Sequence, residues 1–178
     1  TLRVTTQHGL AEHVHLIEIP GIWANVGTSW NAAANWGGSP PTNDPVTDIA
    51  ALGAATVQPV LDGPYAVKGV TMAGGTTLSG SGNLTLGASG IVTTGSGNVS
   101  SLSNLTLATS QSWNVGNGDL TVSSSIGGAA RLTKTGAGTL TLTGTNAYSG
   151  GLSLAGGPLV LLGDQSAATG GIDQRAAG

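Results

Sequence analysis

The chain of 178 residues has no cysteine and no phenylalanine, and only 7% of it is charged. Without cysteine no disulfide staples the fold, so stability must come from packing and backbone pairing. Charged residues usually make up about a quarter of a soluble domain. Here Arg3, Lys68, Arg131, Lys134 and Arg175 are the complete set of strong cations. Five scattered positive charges cannot track a phosphate backbone, which argues against nucleic-acid binding. No apolar run approaches the ~20 residues of a membrane-spanning helix, so no membrane span is expected. No basic segment followed by an apolar one opens the chain, and it starts at Thr1 rather than Met; a mature or excised product is expected. Low charge alone could signal disorder, but 39% of the residues are apolar and mean hydropathy is slightly positive. The chain can therefore bury a core.

Glycine, serine, threonine and asparagine stand where charges are missing, and their arrangement is periodic. The stretch Arg131 to Leu162 holds three short runs in which apolar residues alternate with small or hydroxyl ones: 139–142, 151–154 and 158–161. Glycine-rich corners at 136–138, 149–151 and 156–157 separate them. A four-residue strand cannot fold alone, but a series of them ending at glycine corners buries its leucines by coiling and stacking rung on rung. Upstream, strand centres fall near Leu84, Ile91, Val99, Leu105, Trp113, Leu120, Ile126, Leu132 and Leu140, in steps of six to eight residues. Asn83-Leu84-Thr85-Leu86 returns as Asn104-Leu105-Thr106-Leu107, and Asp119-Leu120-Thr121-Val122 as Thr139-Leu140-Thr141-Leu142. Steps near seven with a return near twenty predict an all-β parallel solenoid with three strands per rung. Gly, Ser and Thr between the leucines make helix unfavourable throughout.

Four regions follow from this pattern. Residues 1–21 read as an N-terminal β-strand arm, with alternation at Leu2-Arg3-Val4-Thr5 and His13-Val14-His15-Leu16. It either pairs with a sheet edge, its own or a neighbour's, or forms an ordinary first strand. Residues 22–64 carry Trp23, Trp30 and Trp36 and five prolines, and read as an N-terminal cap with a short helical turn between Trp30 and Trp36. The solenoid spans 65–163. Residues 164–178 lose the alternation and read as a C-terminal tail or docking segment.

Chemistry-bearing residues are few. His13-x-His15 puts two imidazoles on one strand face, but with only His8 or Glu12 nearby a metal site is not expected. Asn43 to Asp48 offers oxygen ligands without a full Ca²⁺-loop pattern, and a capped turn is the better reading. Gly116-Asn117-Gly118-Asp119 is a single weak copy of a Ca²⁺-type turn. Asn83, Asn98 and Asn104 sit in glycosylation sequons, which arise by chance in such a composition. Within 65–163 the one acid is Asp119, with Asp164 just outside, so no carboxylate pair can divide acid and base roles. No G-x-S-x-G elbow occurs. No catalytic, cofactor or metal residue is expected, and the chain is not expected to be an enzyme.

Leu132 to Gly151, LTKTGAGTLTLTGTNAYSGG, closely resembles the autotransporter-associated β-strand repeat, L-T-K-x-G-x-G-T-L-x-L-x-G-x-N-x-Y-x-G. The Trp-rich Ser29–Trp36 segment with Pro40-Pro41, and Gln111–Val115 with Gly118–Val122, are similar to the opening and middle of large secreted proteins carrying this element. The resemblance covers roughly 22–163 and implies a right-handed parallel β-helix, export, and an extracellular or cell-surface setting. It implies no catalytic residue. Two functions are expected from different classes. One is a structural subunit that self-associates head-to-tail into a filament or surface layer, through the 1–21 arm and an open C-terminal rung. The other is an adhesin or glycan-binding module using the tryptophans or the flat Thr/Ser/Asn faces.

Overall fold

The computed structural model describes residues 20–37, 40–54 and 56–174. Nearly all of the expected arm, with His8, Glu12, His13 and His15, lies outside the described residues. Thirteen strands run through the rest: β1 (Gly21–Ile22), β2 (Ile49–Leu52), β3 (Pro64–Ala73), β4 (Thr77–Thr94), β5 (Asn98–Leu107), β6 (Gln111–Val115) and β7 (Asp119–Val122). They continue as β8 (Ser125–Gly127), β9 (Leu132–Thr135), β10 (Thr139–Leu142), β11 (Leu152–Leu154), β12 (Leu159–Leu161) and β13 (Ile172–Gln174). Among the described residues, helix is confined to one 3₁₀ turn, Ala33–Asn35, inside the segment where a short helical turn was expected.

The strands pair in parallel along three sides of a solenoid of about 6 turns. One side stacks Leu120, Leu140 and Leu159 in register. A second stacks Tyr65, Leu84, Leu105 and Ile126. The third runs from Ala50 and Val70 through the end of β4 to β6, β9, β11 and β13. The first return, Gly21 to Ala50, spans 29 residues. From β2 onward the return varies from 19 residues, Tyr65 to Leu84, to 22, Val92 to Asn114, and shifts of register in β3 and β4 absorb the difference. Each fully buried leucine contributes about 1.5–3 kcal/mol. A rung of three or four such residues cannot hold itself together, but the stack makes one continuous core from Trp23 to Leu152.

Corners need backbone that few residues adopt. Gly136 has φ +79°, and a Cβ there would lie 2.2 Å from the Val115 carbonyl oxygen of the rung beneath. Glycine is required twice over, by the left-handed conformation and by the approach of the two chains.

Polar residues stand in the core at Asn98 and Ser100, where the apolar centre Val99 was expected, and at Thr93. Val99, expected at an apolar strand centre, points outward; Asn98 and Ser100 are buried instead. The register Asn98↔Leu120 sets this phase. Asn98 holds it by donating from Nδ2 to the Gly95 carbonyl (2.9 Å) and accepting from the Thr76 N–H (3.3 Å). An inward asparagine thus ties a corner that a leucine would leave open. Thr93, between Met72 and Val115 on the third side, is also buried, and among the described residues its Oγ1 has no hydrogen-bond partner. An unpaired buried hydroxyl costs roughly 1–3 kcal/mol. Thr93→Val, which keeps the shape, should raise stability by about 1 kcal/mol. Thermal unfolding checks this, and a lower melting temperature would sink it.

Stacking does not stop at Gly163. Gln165 accepts from Asn146 Nδ2 and from the Tyr148 hydroxyl, both at 3.2 Å. β13 then lies in register on β11. The last strand therefore falls inside the segment expected as a tail.

Candidate functional site: the two ends of the stack

The three tryptophans of the N-terminal region are buried, at 3%, 2% and 3% exposure for Trp23, Trp30 and Trp36. Trp36 meets Trp23 and Trp30 edge to face, at centroid distances of 5.1 and 4.8 Å. The Trp23 indole donates to the Val57 carbonyl (2.7 Å) and that of Trp36 to the Trp30 carbonyl (2.8 Å). The three buried indoles, two of them with bonded N–H groups, form a plug, and no indole face of these three is open to a sugar ring.

The same residues close the backbone edge of that end. Beyond β1, residues 35–37 pair antiparallel: Ala24 N–H donates to the Asn35 carbonyl (2.7 Å) and Gly37 N–H to the Ile22 carbonyl (2.6 Å). Asn35 Nδ2 takes the Ser29 carbonyl at 2.7 Å on the first side. On the second side the 42–48 loop covers the rung, with Asn43 Oδ1 accepting from Ala66 N–H and the Asp48 carbonyl accepting from Lys68 N–H. The Asp44 and Asp48 carboxylate oxygens considered for Ca²⁺ are used inside this loop. Asp48 Oδ2 accepts from Thr42 and Asp44, and Asp44 accepts from Val46 N–H and Thr47 Oγ1, both 2.8 Å. The Val46 and Thr47 hydrogen bonds hold the Asp44 carboxyl below its ordinary pKa.

Tyr65 seals this end from the side, tilted against Trp30 at 5.9 Å and donating to Asp62 at 2.7 Å. Burial first, and then the Asp62 carboxylate, push its hydroxyl from 10.0 up to about 12. Between those values the folded chain binds more protons than the unfolded one, so stability falls as pH rises through that window and the contribution is intact below pH 10. Burial also raises Tyr148, so part of the loss is shared. Tyr65→Phe should flatten the decline of melting temperature between about pH 10 and 12. An unchanged slope would refute this.

Among the described residues, the other end is open. β12 and β13 are terminal in the sheet order, and among the described residues no strand lies outside them. The Pro158 carbonyl and Leu162 N–H reach back to β10. By the alternation of a strand, the N–H and C=O of Leu159 and Leu161 point away from the stack. Leu159 and Leu161 are half-buried, while Leu162 and Ile172 are 72% and 51% exposed.

Between the ends, Lys134 is the feature the alternation half-announced: Leu132-x-Lys134 puts a lysine at an inward position. Its side chain is 0% exposed, and Nζ donates to the carbonyls of Thr135, Gly136 and Gly156, each at 2.8 Å. Three acceptors satisfy all three ammonium donors and join two successive corners. Asn146 acts similarly where the second side has no strand, its Oδ1 accepting from Ile126 N–H (3.0 Å) in place of a ladder carbonyl.

The described carboxylates are used structurally. Asp119 Oδ1 accepts from Gly97 N–H, Asp164 Oδ1 from Ser166 N–H (2.8 Å), and Asp173 lies 3.8 Å from Arg131 at the surface. Among the described residues, no group of three or more His, Cys, Asp or Glu side chains converges on a common point. Of the sequons, Asn98 is buried, whereas Asn83 and Asn104 are exposed and bonded to each other at 3.0 Å.

Residues 132–161 match the family described as Passenger-associated-transport-repeat. No curated protein and no solved structure matches the chain. The matched segment runs from β9 to β12 and contains both Lys134 and Asn146. Such a repeat implies a secreted or surface passenger, and no described helix is long and apolar enough to cross a membrane. The chain thus carries a passenger-associated transport repeat within a β-solenoid, as an autotransporter passenger-type repeat protein does.

Proposed function

We propose that this chain is an extracellular structural protein, a non-catalytic passenger-type solenoid that self-associates head-to-tail into a filament or surface layer. The carrying observation is the asymmetry of its ends. One is plugged by Trp23, Trp30 and Trp36; at the other, among the described residues, the outer edges of β12 and β13 are unpaired above half-buried leucines. An unpaired edge of this kind is a template for another strand. A contact between unlike ends does not close on itself and extends into a fibre. The adhesive alternative loses its indole platform and would rest on the hydroxyl-rich faces alone. Negative-stain microscopy and sedimentation of the purified chain test the reading. Concentration-dependent, unbranched filaments or oligomers are expected, and dispersed monomers at every concentration would overturn it.

A further inference from the structure

If the ends meet head-to-tail, the structure poses a problem that also suggests its solution. The described N-terminal edge cannot accept or donate a strand. Residues 35–37 occupy the outside of β1, and Asn35 and Trp36 take the Ser29 and Trp30 carbonyls. A strand offered to the open edge of another copy must come from elsewhere in the chain. Residues 1–19 have the spacing of a rung. Leu2-x-Val4 and Val14-x-Leu16 lie twelve residues apart. That is the separation of Leu120-x-Val122 from Leu132-x-Lys134, and of Leu140-x-Leu142 from Leu152-x-Leu154. Pro20 follows Leu16 by four residues, as Pro158 follows Leu154. In the stack these two positions are the inward pairs of the first and third sides, and those sides end at β12 and β13.

We propose that residues 1–19 of one copy dock as the next rung on the open C-terminal end of a second copy, with Leu2-x-Val4 over Leu159-x-Leu161 and Val14-x-Leu16 over the Ile172 strand. The docked apolar residues cover Leu159, Leu161 and Ile172, and their backbone meets the outward N–H and C=O groups of β12 and β13. With Gly9 as its one glycine, the 1–19 sequence fits a strand added at an edge better than a rung packed between two others. The inference rests on the head-to-tail reading and names its contact.

The chain has no cysteine, so engineered thiols report without background. In the proposed register Arg3 faces Val160, and neighbouring parallel strands bring their Cα atoms about 5 Å apart, within disulfide reach. The full-length double variant Arg3→Cys/Val160→Cys should give a ladder of covalent multimers on oxidation, whereas each single variant stops at dimers. Leu2→Asp/Val14→Asp should cut the multimer fraction at least about tenfold, since buried charge costs well over 1.4 kcal/mol, with an unchanged melting temperature. Multimers that persist without cross-links would overturn the docking register and leave head-to-tail assembly standing. A cross-linked monomer would overturn it too, because the segment then folds onto its own chain. If the natural chain shows only monomers, the assembly and its contact fall together.

Discussion

Lys134→Met should lower the melting temperature by roughly 10–15 °C. In the folded chain the ammonium is the point where the carbonyls of Thr135, Gly136 and Gly156 converge, at 2.8 Å each. Methionine fills similar volume but leaves three dipoles facing one another with no donor between them. Burying an ammonium is costly, and replacing a buried ion pair by apolar residues is sometimes neutral. Here no carboxylate shares the cost, and the partners are backbone that cannot move away. Charge-assisted bonds are worth about 1.5–3 kcal/mol each and do not add fully, which gives a net loss of about 3–5 kcal/mol. At roughly 2–4 °C per kcal/mol for a chain of this size, the shift follows. Lys134→Arg should fare little better, since a planar fork does not match three converging acceptors. Burial lowers the Lys134 pKa from 10.5, so below that value the unfolded chain holds more protons and stability climbs with pH. The climb should vanish in the Met variant. A melting temperature within about 3 °C of the natural chain would refute the argument.

Trp30→Ala should cost about 3–5 kcal/mol and open the N-terminal end without dissolving the rest of the stack. The ring is 2% exposed and contacts Trp36 and Tyr65, so its loss leaves a void where the first rungs close. Solenoid rungs feel their neighbours most strongly. Amide exchange should therefore accelerate in residues 21–73, while β9, β10 and β11 keep their protection. Uniform loss across the chain would show instead that the fold melts as one unit.

Lys134 and Asn98 mark the limits of reading the fold from sequence. Both stand at inward positions of an alternating run, yet Val99 beside Asn98 is the more obvious core residue. A strand of period two has two possible phases, and a one-residue slip turns every side chain over. Where leucines fill one phase, as in Leu140-x-Leu142, the choice is plain. In Asn98-Val99-Ser100 it depends on Leu120 in the next rung and on the Gly95 and Thr76 backbone that Asn98 ties together. The Asn43–Asp48 turn was legible from its residues. Its use as a lid over Ala66 was not, because that partner lies 23 residues away.

The sequence by itself determined the all-β class, the three sides and the rung length. Strand alternation, glycine corners and the return near twenty are all properties of one chain read in order. The tertiary structure alone decided how the N-terminal cap closes its backbone edge, what Lys134 holds, and that stacking continues to β13. Each depends on a hydrogen bond or contact between rungs, and such partners exist only once register has placed residues twenty apart side by side.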